Sequence, residues 1–367
     1  MPEYLESVAF GGHTYMHFAP GPSLLCLPFV AIWGVDGFNI AWLSILLGAG
    51  NCALFYRVFR QMGIGRGIRE RFWCTVLAVF GTTHCFLAAI GHSWFLGHVS
   101  GWFFLLLAMV FLTRKSKRPG LDIFLAGLCY GFSVTCRMAN LPGAVFFFGY
   151  ILLRHEKRSW LRLLLLFCAG AAIFGGMYMA FDYIRYGTIM DQGYNLTHLK
   201  DLHRDLYNQL QSLPASEQLA FLKECEKTVG GPLSLSSIPY NLYSIFLLPP
   251  AFSTEFPYII PTMAGVCLSI TSPALCFALR ADFKKEKLCW FILGAMVLCA
   301  LPFLMNYGNG FAQFGMRYAM DFLPYTLLLA AMGLTRRELT SWKAALILLC
   351  VLVNLWGPVY WNCFYLA

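Results

Sequence analysis

Long apolar runs separated by short basic stretches dominate this sequence, and they limit its fold more than any other feature. Most runs approach the ~20 residues that a helix needs to cross a bilayer. The 367-residue chain is 59% hydrophobic and only 12% charged, with a positive mean hydropathy. A water-soluble core of this size does not require that composition. The sequence therefore predicts an all-α, polytopic transmembrane helical bundle with about ten crossings. The predicted crossings are 38–58, 72–91, 96–113, 120–136, 141–153, 162–183, 258–279, 288–306, 317–334 and 343–361.

Basic residues are concentrated in alternate short loops. Five clusters hold 20 of the 27 Lys and Arg residues. Such clusters mark cytoplasmic loops, so the predicted location is the cell membrane, with the remaining loops on the extracytoplasmic face. The net charge of +9 is explained by this distribution, and nucleic acid is not an expected partner. The clusters are 57–71, 114–118, 154–162, 280–287 and 336–343.

The chain divides into four predicted parts. Residues 1–37 form an outer-face loop with an interfacial helix, and 38–183 an N-terminal transmembrane bundle. Residues 184–257 form a sizeable extracytoplasmic loop subdomain, and 258–367 a C-terminal transmembrane bundle. Within the loop subdomain, one stretch predicts an amphipathic helix that lies on the membrane or covers a cavity. Its apolar positions are Leu219, Leu222, Cys225 and Val229.

Ionisable residues near membrane spans are costly and mark a candidate site. All of them except His84 lie near predicted outer helix ends, so several helices bring polar groups to one face. Other interpretations stay open: Arg317 and Asp321 could neutralise each other, His98 and His84 could be hydrogen-bonded packing residues, and the remaining arginines could anchor helices at the interface. The candidates are His84, His98, Arg137, Asp182, Arg185, Arg317 and Asp321.

Metal and nucleotide chemistry have little support in the sequence. His198 and His203 lie near Asp201 and Asp205, but their spacing suits no single helical face, so no metal site is predicted. Thirteen of the fourteen cysteines lie in or beside apolar runs and are interpreted as small buried hydrophobic residues. Without a P-loop or a GxGxxG motif, a reaction at the outer face needs a substrate that arrives already activated, and a lipid-carried substrate fits that requirement.

Four stretches together resemble the integral-membrane C-type glycosyltransferase superfamily, in particular the branch related to protein O-mannosyltransferases and bacterial lipid A aminoarabinose transferases. Their order and spacing match over nearly the whole chain, although each motif is degenerate. The stretches are FGGHTYMHFAPGPSLLCLPF (10–29), WFLGHVSGW (94–102), DYIRYGTIMDQGYN (182–195) and QFGMRYAMDFLPYTLLL (313–329).

The resemblance implies transfer of a sugar from a polyprenyl-phosphate donor to an acceptor on the outer face, the acceptor being a glycolipid, a polysaccharide or a protein. Arg317 would bind the lipid phosphate together with Arg137 and His98, and Asp321 would hold the Arg317 guanidinium and share the catalytic role. No cofactor is expected, and nothing in the sequence supports a divalent metal. The residues expected to line the substrate cavity are Tyr15, His17, Tyr194 and Tyr318.

The beginning of the chain departs from the family pattern. In the family an outer loop after the first helix carries the acidic base, whereas this chain opens on MPEYLESVAF, which resembles the later part of that loop. Glu3 and Glu6 are the carboxylates nearby and form no established motif. We expect an N-terminal truncation that removes the first helix and the base; alternatively Asp191, Glu255 or Asp321 has taken over the role of the base.

Two other functions compete with sugar transfer: a transporter or flippase for a lipid-linked substrate, and an inactive remnant. A transporter, however, predicts polar groups near the middle of the membrane.

Overall fold

Helices make up most of the structure, a computed structural model that describes residues 6–365. Glu3 lies outside the described residues. Two β-hairpins, each of two short strands, accompany the helices: β1 (Ser7–Phe10) with β2 (His13–Met16), and β3 (Ala251–Phe252) with β4 (Ile259–Ile260). The helices are α1 (Gly21–Gly37), α2 (Ile40–Gln61), α3 (Ile68–Phe80), α4 (His84–Ile90), α5 (Ser93–Thr113), α6 (Pro119–Cys136), α7 (Ala144–Arg154), α8 (Trp160–Tyr186), α9 (Gly193–Leu202), α10 (Arg204–Ser212), α11 (Ala215–Val229), α12 (Ile238–Phe246), α13 (Leu268–Thr271), α14 (Leu288–Met305), α15 (Leu323–Thr335) and α16 (Ser341–Tyr360).

Six helices in the described part of the chain are long and apolar enough to cross a membrane: α2, α5, α6, α8, α14 and α16. A seventh candidate is the pair α3 and α4, which bends by 59° at a short break. The predicted all-α architecture is therefore confirmed, and six or seven of the described helices have the length and apolar character of membrane spans. The count of about ten crossings stays a prediction.

The stretch 258–279, predicted as one helical crossing, is not a continuous helix, and that prediction is wrong. It contains the strand β4, the four-residue helix α13 and a 3₁₀ helix at Pro273–Arg280. Pro261 and Pro273 explain the break, because proline donates no backbone hydrogen bond and disfavours helical geometry in the residue before it. Apolar composition alone predicted a helix where the prolines prevent one.

Glycines allow the helices α6 and α8 to pack closely. A Cβ atom on Gly127 of α6 would lie 2.0 Å from the carbonyl oxygen of Phe167 in α8, and one on Gly131 would lie 2.6 Å from that of Ala171. Gly170 of α8 meets α6 in the same way. Small residues four apart are a common means of close helix approach in membranes, where packing replaces the hydrophobic effect.

The basic clusters gather at one end of the bundle, here called the basic end. Arg336 lies 3.1 Å from Asp282, and Arg154 lies 2.8 Å from Glu286. The Arg66 guanidinium donates a 3.5 Å hydrogen bond to the Arg336 carbonyl. The helix α14 begins beside Glu286 and runs about 27 Å to the opposite end, here called the site end.

A second hydrophobic core lies beyond the site end. The hairpin β1–β2 buries Val8 and Phe10 against Leu199 of α9, Leu210 of α10 and Leu222 of α11. The predicted amphipathic helix is confirmed as α11, with Leu222 and Cys225 buried. Residues near the start of the chain and the helices α9–α11 thus share one core.

Replacing Gly127 with alanine should lower the thermal stability of the protein in detergent, because the added methyl group collides with a backbone oxygen that cannot rotate away. Gly175→Ala in α8 is the matched control: no atom lies within 4 Å of its added Cβ, and alanine favours helix. Thermal unfolding followed by circular dichroism should show a lower midpoint for Gly127→Ala alone. Equal midpoints would mean that α6 and α8 do not pack through this glycine.

Candidate functional site

A buried ion pair lies at the centre of the site. Arg137 donates two hydrogen bonds to Asp321, from Nε to Oδ1 at 3.0 Å and from Nη2 to Oδ2 at 2.6 Å. Asp321 is only 2% exposed. Paired bonds of this kind fix the direction of the guanidinium plane. The expectation that Asp321 holds Arg317 is wrong in this structure, since its partner is Arg137 from the end of α6.

The local helix type explains why Arg317 and Asp321 are separated. The segment Arg317–Asp321 is a 3₁₀ helix that precedes α15. With about three residues per turn, side chains four positions apart point roughly 120° away from each other, whereas in an α-helix they share a face. Trp102 of α5 fixes this turn by donating a 2.6 Å hydrogen bond to the Met320 carbonyl.

Two glycines of α5 make room for Arg137. A Cβ on Gly101 would lie 3.3 Å from Arg137 Cγ, and one on Gly97 would lie 3.7 Å from Arg137 Cδ. The aliphatic part of the Arg137 side chain therefore passes α5 at two positions that carry no side chain. His98 lies between these glycines, and its Nδ1 is 3.5 Å from Asp321 Oδ1, a distance that suits a weak polar contact.

The Arg317 guanidinium lies between two aromatic rings. It is 5.3 Å from the centre of Trp94 and 5.1 Å from that of Tyr318, both within cation–π distance. Arg137 approaches the same Tyr318 ring at 5.5 Å. Among residues 6–365 no carboxylate lies within ion-pair distance of Arg317. The two arginines and the one carboxylate of this cluster therefore carry a net positive charge, and Arg317 has no direct ion-pair partner among the described residues.

Glu6 and His17 lie near this cluster, towards the second core. His17 is buried, with Nδ1 3.1 Å from the Glu6 carbonyl and Nε2 3.4 Å from its carboxylate. Burial raises the pKa of the Glu6 carboxyl, and the positive charge of Arg317 is the strongest influence in the opposite direction. Glu6 is thus close enough to Arg317 for the two charges to interact, although they form no direct ion pair.

Tyr194 connects His17 with the central ion pair. Its ring packs edge-on against His17 at 5.2 Å. Burial raises the pKa of Tyr194 to about 12, and the charge of Arg137 opposes that shift. The hydroxyl therefore stays protonated at neutral pH and can donate a hydrogen bond.

Tyr15 lies in a different environment from the other expected cavity residues. Arg185 stacks over its ring at 5.1 Å and donates hydrogen bonds to the Met16 carbonyl and to the Tyr186 hydroxyl. Asp182 lies 4.0 Å from Arg185. Arg185 thus ties α8 to the β1–β2 hairpin, and the structure does not bring Tyr15, Arg185 or Asp182 to the Arg137–Asp321 pair.

His84 lies inside the bundle and is fully buried. Its ring stacks on Trp102 at 5.0 Å, and its nitrogens face Asn51 and the Val79 carbonyl at 3.0 and 3.2 Å. These contacts support its interpretation as a packing residue. In the range 6–365, no group of three or more His, Cys, Asp or Glu side chains is placed to hold a metal ion.

Sequence reasoning named most of this cluster but gave no role to two of its residues, Trp94 and Glu6. Trp94 belongs to the stretch WFLGHVSGW. The only signal of a cation-binding role was an aromatic residue at the start of a helix. Glu6 was identified but assigned to no motif, because its neighbours His17 and Arg317 are distant in sequence. The roles of both residues depend on contacts between segments that are distant in sequence, and a local sequence pattern does not predict such contacts.

Comparisons of the chain with protein-family models, with curated proteins and with solved structures found no match. The fold and the site define a class: an all-α membrane protein with a buried, positively charged cluster near one end of its bundle. Its function is inferred below from that cluster.

Breaking the Arg137–Asp321 pair should strongly destabilise the protein. Asp321→Leu leaves the partly buried Arg137 without its counter-charge, at a cost of about 3–5 kcal/mol, while the pair replacement Arg137→Met with Asp321→Leu should recover most of that loss. A double-mutant cycle on thermal stability measures the coupling. The matched cycle uses Arg317→Met in place of Arg137→Met and should give a coupling near zero. A larger coupling of Asp321 with Arg317 than with Arg137 would contradict this pairing.

Proposed function

We propose that the protein is a membrane glycosyltransferase that moves a sugar from a polyprenyl-phosphate donor to an acceptor at the extracytoplasmic face. The observation that carries this proposal is the net positive charge of the cluster formed by Arg137, Arg317 and Asp321, in which Arg317 has no direct ion-pair partner among the described residues. A partly buried cation without a direct ion-pair partner favours an anionic ligand, and a phosphate supplies both the charge and several acceptor oxygens.

Arg317 is the residue we assign to the donor phosphate. Trp94 and Tyr318 pack against its guanidinium, and within residues 6–365 its N–H groups make only two long hydrogen bonds, at 3.4 Å to the Phe311 carbonyl and 3.5 Å to the Tyr318 hydroxyl, which stronger phosphate acceptors can replace. Arg137 is oriented by Asp321 through Nε and Nη2, and its Nη1 is not used in that pair. Both arginines can therefore stabilise the phosphate as it leaves with the electrons of the broken sugar–phosphate bond.

Asp321 serves in this proposal as a positioning residue. Both of its oxygens accept hydrogen bonds from Arg137, and its burial keeps acceptor molecules away. The proton of the acceptor hydroxyl needs another base. Glu6 is the better candidate, because it is partly exposed, interacts electrostatically with Arg317 and has a pKa raised by burial, which makes it a stronger base than an ordinary carboxylate.

The orientation of the site is part of the proposal. The grouping of Arg66, Arg154 and Arg336 at one end of the bundle supports a cytoplasmic location for the basic end. The Arg137–Asp321 pair lies towards the other end, beside helix starts and turns. A site near the outer interface suits a donor whose sugar and phosphate lie at headgroup level while its chain stays in the lipid.

Arg317→Lys should weaken binding of undecaprenyl phosphate roughly tenfold, because lysine keeps the charge but loses the planar fork, at about 1.4 kcal/mol. Binding is measured by native mass spectrometry of the purified protein in detergent, with undecaprenol as the ligand that lacks phosphate. Arg158→Lys, an exposed residue of the basic end, is the control and should bind like the unsubstituted protein. Equal binding of the alcohol and the phosphate by the unsubstituted protein would remove the phosphate role.

Glu6→Gln should lower sugar transfer by about 10²–10⁴ while donor binding stays unchanged, because the amide cannot accept the acceptor proton. Turnover of radiolabelled polyprenyl-phosphate pentose and hexose donors is measured in native membranes, which contain the acceptor. Because the pKa of Glu6 is raised, the activity of the unsubstituted protein should fall with acidification at a higher pH than for an ordinary carboxylate. Glu217→Gln, an exposed carboxylate of α11, is the control. Unchanged turnover in Glu6→Gln would exclude Glu6 as the base.

A further inference from the structure

The segment from Leu233 to Ile260, here called the apolar segment, differs in character from the helices that precede it. It carries a single charged side chain, Glu255. The preceding stretch 193–229, which forms α9–α11, carries nine Asp, Glu, Lys and Arg residues. The sequence expectation of one extracytoplasmic loop subdomain at 184–257 thus covers two stretches with opposite surface chemistry.

The helix α12 within this segment has an inverted polarity. Its buried side includes Asn241 and Ser244, which are polar. Its exposed side includes Tyr240, Tyr243 and Phe246, which are large and aromatic. A helix at a water-facing surface buries its apolar side and exposes its polar side. The reverse arrangement indicates that the outer side of α12 is not covered by water.

The position of α12 is fixed at the end of a membrane-spanning helix. Asn241 Nδ2 donates hydrogen bonds to the carbonyls of Phe303, Leu304 and Asn306, at 3.1, 3.0 and 2.8 Å. The carbonyls of Phe303 and Leu304 lie in the last turn of α14 and that of Asn306 lies just after it, where a helix leaves carbonyl groups without α-helical partners. The amide of Ser234 also binds the Met305 carbonyl, at 2.6 Å. The apolar segment therefore begins at the depth where α14 leaves the membrane.

The hairpin β3–β4 continues the same exposed surface. Phe252 is 78% exposed and Phe256 is 67% exposed. The Phe256 ring packs edge-on against Phe364, just beyond the end of α16, at 5.3 Å. The hairpin is thus attached to the site-end terminus of a second spanning helix.

We propose that the apolar segment is inserted into the interface between lipid headgroups and acyl chains at the site end of the bundle. Its exposed aromatic residues are of the kind enriched at membrane interfaces, where an apolar ring can lie in lipid. The helices α14 and α16, at whose ends the segment is held, themselves expose apolar side chains such as Leu301 and Val359, which the bilayer must cover. This placement depends on the membrane fold alone and not on the proposed sugar transfer.

The consequence is that the protein meets lipid beyond the ends of its spanning helices. The loop that precedes Arg317 is joined to the end of the apolar segment and the residues after it, since Gln313 donates a 2.7 Å hydrogen bond to the Ala264 carbonyl. The apolar segment therefore connects the membrane interface with the strand of chain that carries the candidate site.

Photo-crosslinking tests the proposal directly. The photoreactive residue p-benzoylphenylalanine is placed at Phe252 or at Tyr243, in separate variants of the full chain reconstituted into vesicles of phosphatidylcholine and phosphatidylglycerol. Both replacements exchange one exposed aromatic residue for another, so the fold should be retained. We expect phospholipid adducts at both positions, detected by mass spectrometry of the digested protein.

Two further positions calibrate the yield. Leu352, which is exposed on the spanning helix α16, should give a strong lipid adduct in every correctly inserted preparation. Lys223, which is exposed on the polar helix α11, should give almost none. Adduct yields at Phe252 and Tyr243 as low as at Lys223, while Leu352 reacts, would overturn the proposal. Crosslinks from Phe252 to a second protein chain in place of lipid would overturn it as well and would assign this surface to a protein partner.

Discussion

The buried pair of Arg137 and Asp321 determines how the site end of this bundle is assembled. It joins the end of α6 to the 3₁₀ turn before α15, two elements that are 184 residues apart in the chain. Neither charge is stable alone in such surroundings, because desolvation costs several kcal/mol for each ion. The pair therefore imposes one relative position on the two halves of the bundle. It also uses the close approach that Gly101 of α5 allows, since an added Cβ there would lie 3.3 Å from Arg137 Cγ and the side chain would have to shift.

A buried pair of this kind is weak evidence for stability, because apolar residues of similar volume can replace it without loss. Its presence is better explained by the orientation that it gives to Arg137. The neighbouring Arg317 strengthens that argument. Its guanidinium is held by Trp94 and Tyr318 and by no carboxylate of the described chain, so the protein keeps a partly buried cation without neutralising it. The direct stabilisation of this cation comes from the two rings and two long hydrogen bonds, and a neutral residue would avoid the cost of its partial desolvation, which favours a role in binding.

The sequence predicted the membrane architecture because hydrophobic length and the distribution of basic residues are local properties. It also predicted that His98, Arg137, Arg317 and Asp321 gather near one end, because each lies at a helix end on the same side. It did not predict which of them pair. The assignment of Asp321 to Arg317 assumed α-helical spacing, and a 3₁₀ turn at Arg317–Asp321 changed the direction of both side chains. The failure at 258–279 has a similar origin, since composition indicated a helix and proline positions decided the backbone. Partners far apart in sequence, such as Glu6 and Arg317, carry no local signal at all.

The same physical rule connects the candidate site with the apolar segment. In a soluble protein an exposed aromatic ring is unremarkable and a buried charge is rare. In a membrane protein the lipid-facing surface is apolar, so two kinds of position indicate function or placement. The first kind is a polar group that is kept away from lipid, and the second is an exposed apolar group beyond the end of a spanning helix. The Arg137–Asp321 pair is the first kind and the outer side of α12 is the second. If the ends of α14 and α16 lie at the interface, the apolar segment meets lipid close to the loop that leads into Arg317, because Gln313 of that loop is hydrogen-bonded to Ala264, just after the segment. A ligand with an apolar chain and an anionic headgroup would match that arrangement at both of its ends.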